Sequence, residues 1–293
     1  MSSGRASQIL GLLGALVLAC FAIGAVILIA LRFRTESNPC GYELQALGPV
    51  CCAPGQLVKD GHCVGTDFSC PEGMLRVEEP HPGCVLENQV VEFEAGRLVL
   101  GPMDWEAEGR VAPRDVKVGP FMLDSLEVTV ARWNLCVQAK TCAKLPGYLE
   151  PGQPVTSVTP AVADRFCMYN GGRLPTSDEW LYAALGSPAR RYPWGNTGLV
   201  CRRSAFGLVN GPCAEGAVAP TLAGSRPDGM TPEGLHDMAG NAAEWTREGK
   251  GFVARGGSFK SEQAADLKAW ASEKTSTPSP HIGFRCAYDM PKG

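Results

Sequence analysis

GGRLPTSDEWLYAALG, Gly171 to Gly186, is the stretch from which the fold can be read. Its two leading glycines stop whatever helix precedes them, because glycine reaches the left-handed conformation that ends helices. Thr176 and Glu179 then stand three apart as a capping box. The threonine side chain accepts from the Glu179 amide, and the glutamate reaches back to the Thr176 amide. Leu181, Ala184 and Leu185 give the new helix an apolar face, and Gly186 ends it. One step upstream, Thr159-Pro160 is a second helix start: a capping hydroxyl, then proline at the first helical position. That helix is expected to run to about Asn170 and stop at Gly171-Gly172.

Further upstream, Val91 to Leu100 alternates weakly and predicts a strand, and Pro120 to Val128 predicts another. Thr129 caps a helix through about Lys140. Cys142 follows Cys136 by six residues, and Cys201 and Cys213 flank a short loop, so each pair is expected to bridge locally. Trp180, Trp194 and Trp245 are read as core packing rather than cofactor contacts. Hydrophobic residues at 45% against 19% charged supply a globular core and exclude wholesale disorder. The net charge of −3, without a long Lys/Arg run, leaves no electrostatic footprint for nucleic acid. Glycine at 35 and proline at 23 point to a loop-rich fold.

The first 34 residues read as a signal anchor. Ile9 to Leu31 carries no charge, and at ~1.5 Å rise per residue it spans a hydrocarbon core. Arg5 precedes it while Arg32 and Arg34 follow it, which by the positive-inside rule points the C-terminus inward. The cysteines argue the opposite and outweigh a difference of one arginine. Thirteen cysteines, twelve of them beyond Cys20, suit an oxidising compartment. VLAC, Val17 to Cys20, also loosely resembles a lipidation box. Either product is membrane-attached, with the main domain expected in the periplasm or at the cell surface.

Residues 35–86 read as a small disulfide segment holding Cys40, Cys51, Cys52, Cys63, Cys70 and Cys84. So short a segment buries too little surface to fold unstapled. Its pairing stays open, as do two roles: a spacer that lifts the main domain off the membrane, or a small protein-binding module. His62 and His81 in this segment are read as surface histidines. A zinc site would want paired C-x-x-C spacings, and the chain has none.

Residues 87–293 form the main domain. The blocks GGRLPTSDEWLYAALG, YPWGN (Tyr192 to Asn196), GLHDMAGNAAEW (Gly234 to Trp245), ARGGSF (Ala254 to Phe259) and HIGFRCA (His281 to Ala287) closely resemble, in order and spacing, the formylglycine-generating enzyme family, or sulfatase-modifying factors. The resemblance covers Glu87 to Tyr288. It implies an α+β, loop-rich formylglycine-generating-enzyme fold, related to C-type lectin domains, here preceded by a transmembrane helix and the disulfide segment. It implies a bridge between Cys167 and Cys286. It also implies a structural calcium site at the positions of Asp237, Gly240, Ala242 and Glu244, with carboxylates from the first and last and main-chain carbonyls from the other two. For the family's other calcium site Glu215 is the sole candidate acid.

The family oxidises a sulfatase cysteine with two cysteines shortly after the RGGS-aromatic block. The two aligned positions here are Ser261 and Asp266. Soft Cu(I) wants thiolates, so copper is not expected, and neither is oxidase activity. Arg255 in ARGGSF reads as a buried, paired structural arginine. A relative that binds non-haem iron through three histidines on this fold is excluded by count, since only His236 and His281 lie in the main domain. No G-x-S-x-G nucleophile elbow occurs. The reading is a membrane-anchored, extracytoplasmic, non-catalytic relative whose cleft binds a peptide or an envelope protein. The competing readings are an active formylglycine-generating oxidase and a purely structural envelope component.

Overall fold

The structure is a computed structural model that describes the backbone of 45–47, 50–52, 57–59 and 62–64, together with residues 70–77, 83–101, 113–147 and 149–291. The chain divides into two compact units, Met1–Ser69 and Cys70–Gly293. Ile9 to Leu31 and Cys40 lie outside the described residues, as do the side chains of Cys51, Cys52 and Cys63. Among the described residues no helix is long and apolar enough to cross a membrane.

In the first unit, β1 (Gln45–Leu47) and β2 (Val50–Cys52) form one antiparallel pair, and β3 (Leu57–Lys59) and β4 (His62–Val64) form a second.

The second unit opens with a hairpin of β5 (Met74–Val77) and β6 (Gly83–Leu86), stapled by Cys70–Cys84. The strand expected over Val91 to Leu100 is in fact two: β7 (Val90–Phe93) and β8 (Gly96–Leu100). They enter different sheets. The strand β8 pairs with β9 (Arg114–Val118), while β7 pairs with β10 (Phe121–Asp124). Gly96 opens β8, and only glycine fits there, because a Cβ would fall 2.1 Å from the Tyr182 hydroxyl. The strand expected over Pro120 to Val128 is accordingly shorter, ending at Asp124.

Helix α1 (Val130–Gln138) is capped by Thr129, and α2 (Pro160–Tyr169) by Thr159 with proline at its start. Helix α3 (Ser177–Leu185) carries both halves of the capping box between Thr176 and Glu179. After α3 the chain is mostly loop until β11 (Ala243–Glu248) and β12 (Gly251–Arg255). The short strands β13 (Ser272–Glu273), β14 (Ile282–Gly283) and β15 (Ala287–Asp289) complete the unit. One sheet has the order β13-β12-β11-β14, with β14 parallel to β11, and another has β15-β10-β7. The last strand thus pairs with residues 121–123, closing the ends of the unit on each other.

Cys167 and Cys286 are bridged, tying α2 to the β14–β15 connection. Cys136–Cys142 and Cys201–Cys213 are bridged as their spacing predicted. In the chain-entropy picture, closing the 119-residue separation between Cys167 and Cys286 is worth roughly 4–5 kcal/mol. Beside it, Trp133 stacks on Phe166 at 5.2 Å, and both rings meet Phe284 edge-on. Trp180 and Trp245 are fully buried. Trp194 is half-buried, packs against the cluster that includes Phe206 and Phe259, and stacks on Tyr192 at 5.0 Å.

Candidate functional site

A cleft of about 310 Å³ opens beside the β11–β12 hairpin. Ala243 and Ala254 supply its small-residue floor. One wall is the Gly257-to-Ser261 segment that follows Arg255, and the other includes Asp266, β13 and His281. Gly257 sits at φ +67°, and a Cβ there would fall 2.6 Å from the Asp266 carbonyl oxygen. Glycine is what lets these two walls approach. Ser261 lies at the turn: its amide donates to the Ser258 carbonyl, and its hydroxyl accepts from the Ser258 amide at 3.0 Å. Asp266 stands on a short 3-10 turn, Ala264–Leu267. Ser261 and Asp266, five positions apart in sequence, therefore face one cleft.

Arg255 is buried and shapes this site from behind. Its Nε donates to the Ser177 hydroxyl at 2.8 Å and its Nη2 to Glu248 at 3.1 Å. Its Nη1 points at the carbonyls of Ala269, Trp270 and Ala271, which lead into β13. This is the buried, paired structural arginine that the sequence predicted.

His281 and Glu273 line the cleft together. The His281 ring lies 2.6 Å from the Ser279 hydroxyl through Nδ1 and 3.2 Å from Glu273 through Nε2. An ionised carboxylate only accepts, so Nε2 carries the hydrogen in the neutral ring and Nδ1 accepts from Ser279. Sequence reading missed this pair. Glu273 sits in the polar run SEKTSTPS, which has no period to mark it, and only the β12–β13 pairing brings it beside His281.

The GLHDMAGNAAEW loop lies in a buried charged network. Glu244 receives Arg285 Nε and Nη2 at 2.8 and 2.7 Å and Trp180 Nε1 at 2.7 Å. Asp237 accepts from the Gly224 amide at 2.6 Å, and burial pushes its carboxyl up to about 6. Gly240 donates its amide to the Gly256 carbonyl, and Ala242 donates its amide to Glu127. Glu127 also holds the Asn241 side chain at 2.7 Å. Burial, with Asp237 and Glu244 nearby, keeps the Glu127 carboxyl well above its ordinary range. Glu127 and Arg285 complete a network in which the sequence had named only Asp237, Gly240, Ala242 and Glu244.

The carboxylates of the expected calcium set, Asp237 and Glu244, are thus shared with this hydrogen-bonded network. Both oxygens of Glu244 are taken by N–H donors, and a guanidinium already supplies the cation. Glu215, the candidate acid for a second site, is exposed and paired with Arg226. The Ser261–Asp266 cleft does not suit copper, since it offers hydroxyl and carboxylate oxygens where a soft ion takes thiolates. Every cysteine whose side chain is described is in a disulfide.

A hydrophobic core closed by Cys167–Cys286 and a cleft behind the RGGS-aromatic turn define a sulfatase-modifying-factor architecture. Residues 77–290 match the family described as Sulfatase-modifying factor enzyme 1-like domain, and the chain belongs to that family. It is 34% identical over 152 residues to Inactive C-alpha-formylglycine-generating enzyme 2 of Mus musculus, covering 46% of this chain and 48% of that one. It is 30% identical over 170 residues to Formylglycine-generating enzyme of Bos taurus, covering 47% and 45%. The chain thus spans about half the length of these relatives, one named as inactive and one as an enzyme. Among solved structures, PvdO from Pseudomonas aeruginosa superposes with a TM-score of 0.57 at 18% identity, covering 76% of this chain and all of that one. A likeness at that identity speaks for the fold alone.

Proposed function

We propose that this protein is a non-catalytic member of its family that binds a peptide segment of a partner through the Ser261–Asp266 cleft without oxidising it. The observation that carries the reading is the chemistry of the cleft. The two positions that resemblance assigns to reactive thiols are oxygen side chains lining one cavity, and no cysteine lines it. A serine hydroxyl forms no mixed disulfide, and neither it nor a carboxylate holds a soft metal. The other described cysteines offer no substitute, because each is spent on a bridge.

The setting is extracytoplasmic and membrane-attached. Four disulfides in the second unit favour an oxidising compartment. The uncharged run Ile9 to Leu31 supplies the anchor.

The test is an assay of the purified full chain with a sulfatase-type CxPxR peptide, copper and oxygen, read by mass spectrometry. The expected result is an unchanged cysteine. Formylglycine in the product, dependent on the protein, overturns the proposal in favour of the oxidase.

A further inference from the structure

We propose that the cleft takes its peptide as an added strand on β13 and seats a cationic side chain of that peptide against Asp266. This deepens the peptide-binding reading and depends on it.

The backbone argument comes from the sheet. In the order β13-β12-β11-β14, strand β13 is an edge. On its inner side Ala254 pairs with Glu273 and Arg255 with Ser272. Among the described residues, no other backbone hydrogen bond engages Ser272, Glu273 or Lys274, and all three are exposed. An edge strand of this kind presents unpaired N–H and C=O groups, which an extended peptide satisfies by joining the sheet. The same residues form a wall of the cleft, since Ala271, Ser272 and Glu273 all line it. A strand added there runs along the cavity, and its alternate side chains point into it.

The lining decides what those side chains are. Its apolar members are only alanines and a glycine, so it has neither an aromatic platform for a sugar ring nor a pocket for a bulky hydrophobe. Its volume is at the small end for a ligand site, which suits one side chain with its backbone. Two carboxylates, Asp266 and Glu273, line the cleft with one lysine, Lys260, and the His281 ring. The Lys260 ammonium lies over the Phe259 ring, 5.7 Å from its centroid. Glu273 gives one oxygen to His281, whereas the exposed Asp266 side chain has no hydrogen bond or ion pair among the described residues. A carboxylate left open at the rim of a polar cavity favours an ammonium or guanidinium group. Ser261 adds a hydroxyl beside it. Its oxygen already accepts from the Ser258 amide, which leaves its hydrogen for a peptide carbonyl.

The experiment uses the full chain and a positional-scanning library of fluorescein-labelled hexapeptides, read by polarisation. Lys and Arg are expected to exceed Glu by about fivefold at one position, the scale of an exposed ion pair. Asp266→Asn removes that preference and Asp266→Lys inverts it, while the thermal midpoint of each variant stays at the wild-type value. N-methylation of alternate amides in the best peptide abolishes binding, and methylation of the intervening amides does not. Equal binding of Lys and Glu peptides, a preference unmoved in Asp266→Lys, or indifference to N-methylation overturns this inference and leaves peptide binding intact. Failure of the whole library to bind overturns the peptide reading itself.

Discussion

Arg285 spends all of its hydrogens inside the fold, and two of them go to Glu244. The remaining three reach the carbonyls of Asp124, Ser125 and His236 at 2.7 to 3.1 Å. One guanidinium therefore joins the end of β10, the GLHDMAGNAAEW loop and β11. The geometry is that of a planar fork matched to a carboxylate, which lysine cannot reproduce. Removing the arginine leaves Glu244 charged and fully buried. Arg285→Met is expected to destabilise the second unit by about 3–5 kcal/mol, the usual cost of breaking one partner of a buried pair. In urea denaturation, Arg285→Met combined with Glu244→Leu should recover part of that loss, because the second change removes the stranded charge. A double variant less stable than Arg285→Met would show that the stranded carboxylate is not what weakens the single variant.

The same pair governs the response to calcium. A ligand that binds only the native state raises the melting temperature in proportion to the logarithm of its concentration. With both Glu244 oxygens occupied by Arg285 and Trp180, neither added calcium nor a chelator should move the thermal midpoint. A midpoint that falls with chelator and returns with calcium, and that loses this response in Asp237→Asn, would place the ion in the loop. It would also mean that Glu244 exchanges Arg285 for a metal.

Local signals in the sequence carried the helices. Thr159-Pro160 and the Thr176–Glu179 box each act within four residues, so they survive in the fold as written. The break between β7 and β8 was not legible, because the two strands differ only in their partners, β10 for one and β9 for the other, which lie further along the chain. Ser261 and Asp266 are marked by their place in a family pattern, and the cleft they share follows that pattern. Glu273 and His281 carry no such mark. Their meeting depends on the β12–β13 and β11–β14 pairings, which no local spacing announces. Glu244 is legible as a site residue, but its guanidinium partner Arg285 is not. That arginine lies in the HIGFRCA block, where the neighbouring Cys286 is the more visible signal.

Acid should loosen the capping box before it unfolds the rest. Glu179 accepts from Arg173 at 2.7 and 2.8 Å and from the Thr176 amide at 2.8 Å. Burial opposes its ionisation, but those donors win, and its carboxyl is held below the ordinary value of 4.5. A depressed carboxylate contributes stability that is present above the unfolded pKa and is lost as pH falls through the folded one. The difference in unfolding free energy between wild type and Glu179→Gln is therefore expected to be constant at neutral pH. It should amount to about 1.5–3 kcal/mol, the scale of hydrogen bonds to a charged group. Below pH 4.5 it should shrink towards zero. A difference that stays constant down to acid denaturation shows that the charge contributes nothing.

Gly257 offers a way to close the cleft without touching its chemistry. Alanine at this position incurs two costs. One is conformational, since φ +67° lies in the left-handed region, at about 1–2 kcal/mol for a residue with a Cβ. The other is steric, because the new methyl meets the Asp266 carbonyl at 2.6 Å and a Leu267 methyl at 3.0 Å. Gly249, at φ +58° in the β11–β12 turn, has open space around it and incurs only the first cost. Gly249→Ala should therefore lower stability by about 1–2 kcal/mol and leave peptide affinity unchanged. Gly257→Ala should lose more stability and also weaken peptide binding, since relief of the clash displaces the turn that carries Asp266. Denaturation midpoints and peptide polarisation on the two variants separate the effects. Equal affinity in both would mean that the turn at Ala264–Leu267 has no part in holding the ligand.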